Sequence, residues 1–312
     1  MHFTSSHPQG WLFYLCSPMN LIDLNPEYFY LFDGSEELKR PIKRLSENEV
    51  TVLQHSNKVL YEFRYYERRM KEILINLSDF QETVSRYSTS VKENDPVDES
   101  LMDEIYINVN RTFINFVTSL KIFVDHINAR LRKRYGSDSE QVRIFISATK
   151  AIYDNYFAYR LLMNLRNYAL HVDYPIDNFR VDSIAVQQTG IFDTDLYVEF
   201  NKDKLLADDK MRKKLGDDLK HYHQYFPVKF VMAEIEQAVK KLFDAILKIE
   251  KQYFVAQADI ATAFVAENPN GTMTTFGKKV HIKENSWRLE TVIIPSRIAE
   301  QLCARLKTVS EN

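Results

Sequence analysis

The fold is decided by residues 140–172, which read EQVRIFISATKAIYDNYFAYRLLMNLRNYALHV. A helix built from this stretch carries apolar side chains on nearly every side, whereas a helix on a protein surface has one apolar face. Such a helix is buried at the centre of a bundle. Pro175 ends it shortly after His171, because proline cannot continue an α-helix. The stretch therefore predicts a long central helix in a mainly α-helical fold.

The composition of the whole chain supports this class. Its 312 residues include only 7 glycines and 9 prolines, so long elements with few turns are expected. A many-stranded sandwich would need a turn every ~8–12 residues. Hydrophobic residues make up 45% of the chain, enough to bury a substantial core. We expect a mainly α protein, an antiparallel helical bundle with a small β-hairpin insertion.

Local patterns place the other elements. Ser46 and Glu49 have the spacing of a capping box at a helix start. Apolar residues at helical spacing predict further helices over residues 46–80, 98–135, 202–218 and 228–266, and from 295 onward, with a polar linker at 85–100. Alternating residues predict a β-hairpin near 181–200, turning at 189–190, and a strand over 279–282. The predicted domains are an irregular N-terminal arm (1–45), a helical domain (46–272) and a C-terminal strand and helix (273–312).

Charge, cysteine content and hydropathy exclude several classes of protein. The net charge is −2, so any nucleic-acid site must be locally basic. Cys16 and Cys303 form neither a disulfide framework nor zinc spacing. The apolar run at 11–16 is too short for a signal peptide, and no stretch approaches the ~20 apolar residues that span a bilayer. We expect a cytoplasmic protein without membrane contact, metal or cofactor.

A polar stripe runs along the end of the central helix. Steps of three and four residues from Tyr153 and Phe157 give Arg160, Asn164, Asn167 and His171. Arg166 lies beside Asn167 in the sequence, about 140° from His171 around an ideal helix. Polar groups at the end of a buried helix are either well bonded within the protein or line a functional cleft.

This set of side chains suits cleavage of RNA without a metal. RNA supplies its own nucleophile, the 2′-hydroxyl, and leaves a 2′,3′-cyclic phosphate. His171 would transfer protons near neutral pH, and Arg166 would hold the phosphate and offset its growing charge. Asn167 would orient the imidazole or bind a phosphate oxygen. The alternative is structural, because Arg and His in a last helical turn also complement the helix dipole.

The run Leu165-Arg166-Asn167-Tyr168-Ala169-Leu170-His171 resembles the motif of the HEPN superfamily, with Arg, Asn, three further residues and His. The resemblance covers residues 98–174. It implies a metal-independent endoribonuclease of toxin–antitoxin or abortive-infection systems, with Arg166 and His171 catalytic and Asn167 supporting. It also implies a homodimer whose two motifs share one site, and a possible antitoxin or regulatory partner. Some members carry Tyr two residues after the His, where this chain has Asp173.

Further residues were considered for RNA contact. Arg160 and Asn164 continue the stripe, and a basic cluster lies at the end of the second helix, formed by Arg130, Arg132, Lys133 and Arg134. That cluster is equally typical of an ordinary cationic helix C-terminus. If the second helix packs antiparallel to the central one, its first half faces the motif, including Asn108, Asn110 and Arg111, while His126 is structural. His221 and His223 lack the partners of a metal site.

Three functions therefore stay open. The first is a HEPN-type endoribonuclease acting on RNA in phage defence or as a toxin. The second is a non-catalytic HEPN-like helical module that binds RNA or a protein. The third is a helical scaffold in which Arg166 and His171 only cap a helix.

Overall fold

A computed structural model describes residues 12–14, 24–34, 40–93, 97–185, 192–268, 273–283 and 286–310. The predicted turn at 189–190 and Cys16 lie outside these residues. The helices are α1 (Glu47–Glu93), α2 (Glu99–Tyr135), α3 (Glu140–Asn155), α4 (Phe157–His171), α5 (Lys202–Ala207), α6 (Asp209–Leu219), α7 (Val228–Ala266) and α8 (Ser296–Ser310). The strands are β1 (Leu12–Tyr14), β2 (Phe29–Asp33), β3 (Arg40–Leu45), β4 (Asn178–Ala185), β5 (Phe192–Asn201), β6 (Tyr225–Pro227), β7 (Thr274–Lys283) and β8 (Ser286–Ile293). The prediction of a mainly α-helical protein is confirmed.

Contacts divide the chain into two units, the first formed by residues 1–65 with 250–312. It contains an antiparallel sheet in the order β1-β8-β7-β2-β3. Gly277 allows β7 and β8 to approach, since a Cβ there would lie 1.9 Å from the Glu290 carbonyl oxygen. The Asn57 side chain of α1 donates a hydrogen bond to the Ile293 carbonyl at 3.0 Å, which ties helix to sheet within this unit.

The second unit comprises residues 66–249 and contains the motif. Helix α2 is buried along most of its length, and Phe113 packs edge-on against Phe80 of α1 and Phe200 of β5. Strands β4, β5 and β6 form a three-stranded antiparallel sheet in that order. These apolar contacts make α2 the centre of this unit.

Several predicted boundaries were wrong. The helix predicted over 140–172 is two helices, α3 and α4, and the one predicted over 202–218 is α5 and α6. Helix α1 continues to Glu93 through the predicted linker, because Tyr87 and Val91 are buried and the hydroxyl of Ser88 binds a carbonyl of its own helix. Residues 29–33 and 40–45, predicted to be irregular, form β2 and β3.

The two compact units also differ from the predicted division at residues 45 and 272, because β2 pairs with β7 across more than 240 positions of sequence. Within the described residues, the helices include none whose length and apolar content would suit a bilayer.

Candidate functional site

Helix α4 carries the motif and is held by the core. Its buried face includes Leu161, Leu162 and Leu165, none of them exposed to solvent. The helix runs antiparallel to α2, since Tyr159 near its start lies by Asp125 and Ile176 beyond its end binds Asn110. The motif therefore faces the first half of α2, as the sequence predicted for antiparallel packing.

Arg160 is engaged inside the protein. Its guanidinium binds both carboxylate oxygens of Asp218 in α6, with Nε to Oδ2 at 2.8 Å and Nη2 to Oδ1 at 2.7 Å. Its Nη1 donates to the carbonyls of Tyr153 and Asp154, the last turn of α3. The hydrogen bonds with Asp218 raise the pKa of Arg160 against the lowering effect of burial. Arg160 therefore stabilises the α3–α4 junction rather than presenting a free cation to RNA.

Asn164 is likewise occupied. Its side-chain amide donates to the Tyr153 hydroxyl at 3.1 Å and to the carbonyl of Arg160 at 2.7 Å, and the residue is buried. The polar stripe predicted from Tyr153 to Asn164 is thus a network within the protein. It leaves Asn167 and His171 as the exposed part of the stripe.

Arg166 and Asn167 form the middle of the candidate site. The Nη1 of Arg166 donates to Oδ1 of Asn167 at 3.1 Å. The Nε of Arg166 is buried without an acceptor among the described residues, and the residue as a whole is half-buried. The guanidinium thus sits at the surface with donor capacity left for another partner.

His171 is the last residue of α4 and is exposed. Among the described residues, its imidazole has no hydrogen-bond or ion-pair partner, and neither His171 nor Arg166 donates to a carbonyl at the helix end. His171 still places a basic residue in the last turn of α4, which is the arrangement that complements the helix dipole in the scaffold hypothesis. Both ring nitrogens are open to a ligand.

A shallow groove of about 60 Å³ lies beside the motif. Asn167, His171 and Val172 line one side, and Lys210 and Lys214 of α6 line the other. Both lysines are exposed, and in the described part of the chain neither forms an ion pair. Neither lysine was predicted from the sequence as part of the site. Their signal was present as two lysines four residues apart, which share one face of a helix, but nothing local showed that this face meets α4.

The turn after α4 is held by a partly buried lysine that pairs with two carboxylates. The Nζ of Lys204 lies 2.9 Å from Asp173 and 3.2 Å from Asp177. Burial would lower the pKa of Lys204, but the hydrogen bonds with the two carboxylates raise it well above its usual range. The same hydrogen bond, with one from the Tyr174 N–H, lowers the pKa of Asp173. Asp173 is therefore a structural anion in the turn that follows His171.

Asn110 closes the other side of this turn. Its buried side chain donates to the Ile176 carbonyl at 2.7 Å and accepts from the Ile176 N–H at 3.1 Å. The side-chain amide of Asn108 donates to the Tyr87 hydroxyl of α1, and the guanidinium of Arg111 donates to the Asn108 side chain. Both residues therefore face α1 rather than the groove. Of the three residues predicted near the site, only Asn110 touches the segment that follows the motif.

The remaining predicted residues lie elsewhere. Arg132 is 22 residues along α2 from Asn110, which on an α-helix is about 33 Å. The basic cluster of Arg130, Arg132, Lys133 and Arg134 is therefore at the opposite end of α2 from the motif. His221 and His223 are exposed, and no group of three or more potential ligands for a metal ion occurs in the described ranges.

Comparison of the chain with models of known protein families, with curated protein sequences and with solved structures gave no match.

Proposed function

We propose that this protein is a metal-independent endoribonuclease of HEPN type that acts as a dimer, in phage defence or as a toxin. The observation that carries the proposal is His171, exposed at the end of α4 with both ring nitrogens unoccupied and Arg166 and Asn167 one turn away. A proton-transfer group needs this access to its substrate.

The proposed reaction is a transesterification within RNA. The 2′-oxygen attacks the adjacent phosphorus, the bond from phosphorus to the 5′-oxygen breaks, and a 2′,3′-cyclic phosphate and a 5′-hydroxyl result. His171 accepts the proton of the 2′-hydroxyl, and the imidazolium so formed donates it to the leaving 5′-oxygen. Arg166 offsets the charge that grows on the phosphate oxygens. In the dimer, each site would draw its imidazole from one copy of the motif and its guanidinium from the other.

Two lysines favour RNA at this groove although the chain is acidic overall, and the one acidic lining residue, Asp208, is engaged as the N-cap of α6. Lys210 and Lys214 face Asn167 and His171 across the groove, and Arg166 lies on the same helix. Two unpaired lysines about one helical turn apart can each contact a phosphate of a single strand. We infer that α6 holds the RNA backbone while α4 carries the chemistry.

An apolar patch supports the dimer. Leu170, Val172 and Tyr174 flank His171 and are 50%, 54% and 41% exposed. Neighbouring exposed apolar side chains are typical of protein interfaces. A second copy would bury the patch and bring a second motif to the first. It would also bridge the angle of about 140° that separates Arg166 from His171 on one helix.

The proposal includes the finer predictions of fold and setting. Helices α1, α2, α3 and α4 would form an antiparallel bundle, with β4 and β5 inserted as a hairpin. We infer a cytoplasmic location, where the RNA substrate occurs. An antitoxin or other regulatory partner would act by covering the groove or the apolar patch.

The test is incubation of the purified full chain with total RNA in EDTA. The His171→Ala and Arg166→Ala variants should each cleave at least about 100-fold more slowly, as expected when a proton-transfer or charge-stabilising group is removed. His223→Ala and Arg143→Ala remove the same residue types at exposed positions away from the groove and should cleave like wild type. Products should end in a 2′,3′-cyclic phosphate. Equal cleavage by wild type and His171→Ala would overturn the proposal.

A second candidate is a non-catalytic module that binds RNA. It is favoured by the hydrogen bond from Arg166 to Asn167, because among the described residues of one chain no such bond joins Arg166 to His171. A fluorescent single-stranded RNA would then bind to wild type and more weakly to a Lys210→Gln/Lys214→Gln variant, without cleavage in either case.

A further inference from the structure

A large groove of the second unit lies at an unpaired strand edge. Strand β5 pairs with β4 along residues 192–199, but on its other side β6 pairs only with residues 199–201. Among the described strands, none pairs with residues 195–198 on that side. A sheet edge presents unpaired N–H and C=O groups that can accept a further strand.

The space beside this edge is a groove of about 640 Å³. Its walls are residues 80–84 of α1 and residues 228–236 of α7, which starts directly after β6. Residues 195–199 of β5 span about 14 Å at ~3.4 Å per residue, and residues 228–236 span about 12 Å along a helix. The groove therefore has the length of about four extended residues.

The groove is lined by apolar side chains at its base. Phe80, Val198, Val228 and Met232 are all at most 9% exposed, so a ligand would rest on the existing core. Ala233 is exposed and small at the rim, which keeps the entrance open. Such a surface suits the apolar side chains on one side of an extended strand.

The charges of the groove are divided between its ends. At one end, β6 stops at Pro227. Lys229 follows two residues later, in the first turn of α7. Asp195 of β5 forms an ion pair with Lys92 of α1 at 3.1 Å, whereas Glu236 lies two helical turns along α7 from Lys229. Glu236 is exposed and forms no ion pair with the described residues. A complementary ligand carries a negative group at the Lys229 end and a positive one about four residues away.

We propose that this groove, which we name the β5 groove, binds an extended peptide segment of another protein as an additional strand beside β5. The peptide has apolar residues at alternate positions, a Lys or Arg near Glu236, and a carboxylate near Lys229. Backbone hydrogen bonds to residues 195–198 supply affinity, and the apolar base and end charges supply selectivity.

The test selects a phage-displayed library of random heptapeptides on the immobilised full chain. Selected peptides should bind wild type at least about tenfold more tightly than Ala233→Trp, which fills the groove without replacing a buried side chain. Ala129→Trp places the same side chain at an exposed position of α2 outside the groove and should bind like wild type. Glu236→Lys should weaken peptides that carry a basic end.

Strand addition has a further readout in the peptide backbone. A strand directs alternate N–H groups to its neighbour, so N-methylation at one set of alternate residues should weaken binding at least about tenfold, and at the other set far less. Equal effects of the two sets would overturn strand addition. Failure to select any peptide, or equal binding to Ala233→Trp, would overturn the proposal. A dimer lost in Ala233→Trp while no peptide is selected would instead assign the groove to a second copy.

Discussion

Arg160 holds two elements together through one side chain. It pairs bidentately with Asp218 of α6 and also binds the last carbonyls of α3. Lysine keeps the charge but cannot reproduce the planar fork. Arg160→Lys should therefore lower the free energy of unfolding by about 2 kcal/mol, the value of hydrogen bonds to a charged group. Urea unfolding measures this. Arg132→Lys, at an exposed position whose one hydrogen bond within the described residues goes to Asn128, should change it by less than about 0.5 kcal/mol.

The same residue shows what a sequence can and cannot reveal about a site. Arg160, Asn164, Asn167 and His171 share a helical stripe, and that spacing was legible from the sequence. Which of them are bonded inside the protein depends on Asp218 and Tyr153, and the sequence alone did not reveal these contacts. Lys210 and Lys214 were missed for the same reason, because their position opposite the motif follows from tertiary packing.

At the scale of elements, the break between α3 and α4 is the main departure from local pattern. Neither glycine nor proline stands at Tyr156, whose φ of −119° and ψ of 106° interrupt the helix. The carboxylate of Glu234 in α7 accepts the Ala158 N–H at 2.7 Å, which is a helix cap supplied from a distant segment. Tertiary contacts with Glu234 and Arg160 thus override helical propensity here.

That cap gives a prediction for α4. Glu234→Ala removes the acceptor of an N-terminal N–H and a negative charge from the start of a helix. The free energy of unfolding should fall by about 1 kcal/mol, the usual value of a lost cap, in urea unfolding followed by circular dichroism. Glu236→Ala removes an exposed carboxylate two residues further on and serves as the control. Equal effects of the two variants would refute the capping role.

The start of α1, by contrast, follows its local sequence. The predicted capping box is confirmed: Ser46 N–H donates to Glu49 at 2.8 Å and Glu49 N–H to the Ser46 hydroxyl at 3.3 Å. A hydrogen bond between residues three positions apart can be predicted from the local sequence. The pairing of β2 with β7 joins residues from the two ends of the chain, and no local pattern of either segment predicts it.

The box also makes stability depend on pH. Hydrogen bonds from Lys43, then from the N–H and hydroxyl of Ser46, lower the pKa of Glu49 to about 2. Because the folded pKa is depressed, the contribution is complete above pH ~4.5 and is lost as pH falls toward 2. Glu49→Gln should cost about 1 kcal/mol at pH 7 and much less near pH 2.5. Glu47→Gln, with the same change of charge outside the box, should show a smaller pH dependence.

At the scale of the whole molecule, the proposed nuclease needs two chains. A composite site draws Arg166 from one copy and His171 from the other, whereas a site within one chain draws both from the same helix. Mixing inactive Arg166→Ala with inactive His171→Ala distinguishes the two arrangements. With random pairing, half of the dimers are mixed and each retains one intact Arg–His pair, so activity should return to about a quarter of wild type.

A Val172→Asp change in both chains places charge in the exposed apolar patch and should abolish this recovery, together with the dimer in sedimentation. A mixture that stays inactive while the dimer forms would refute the shared site.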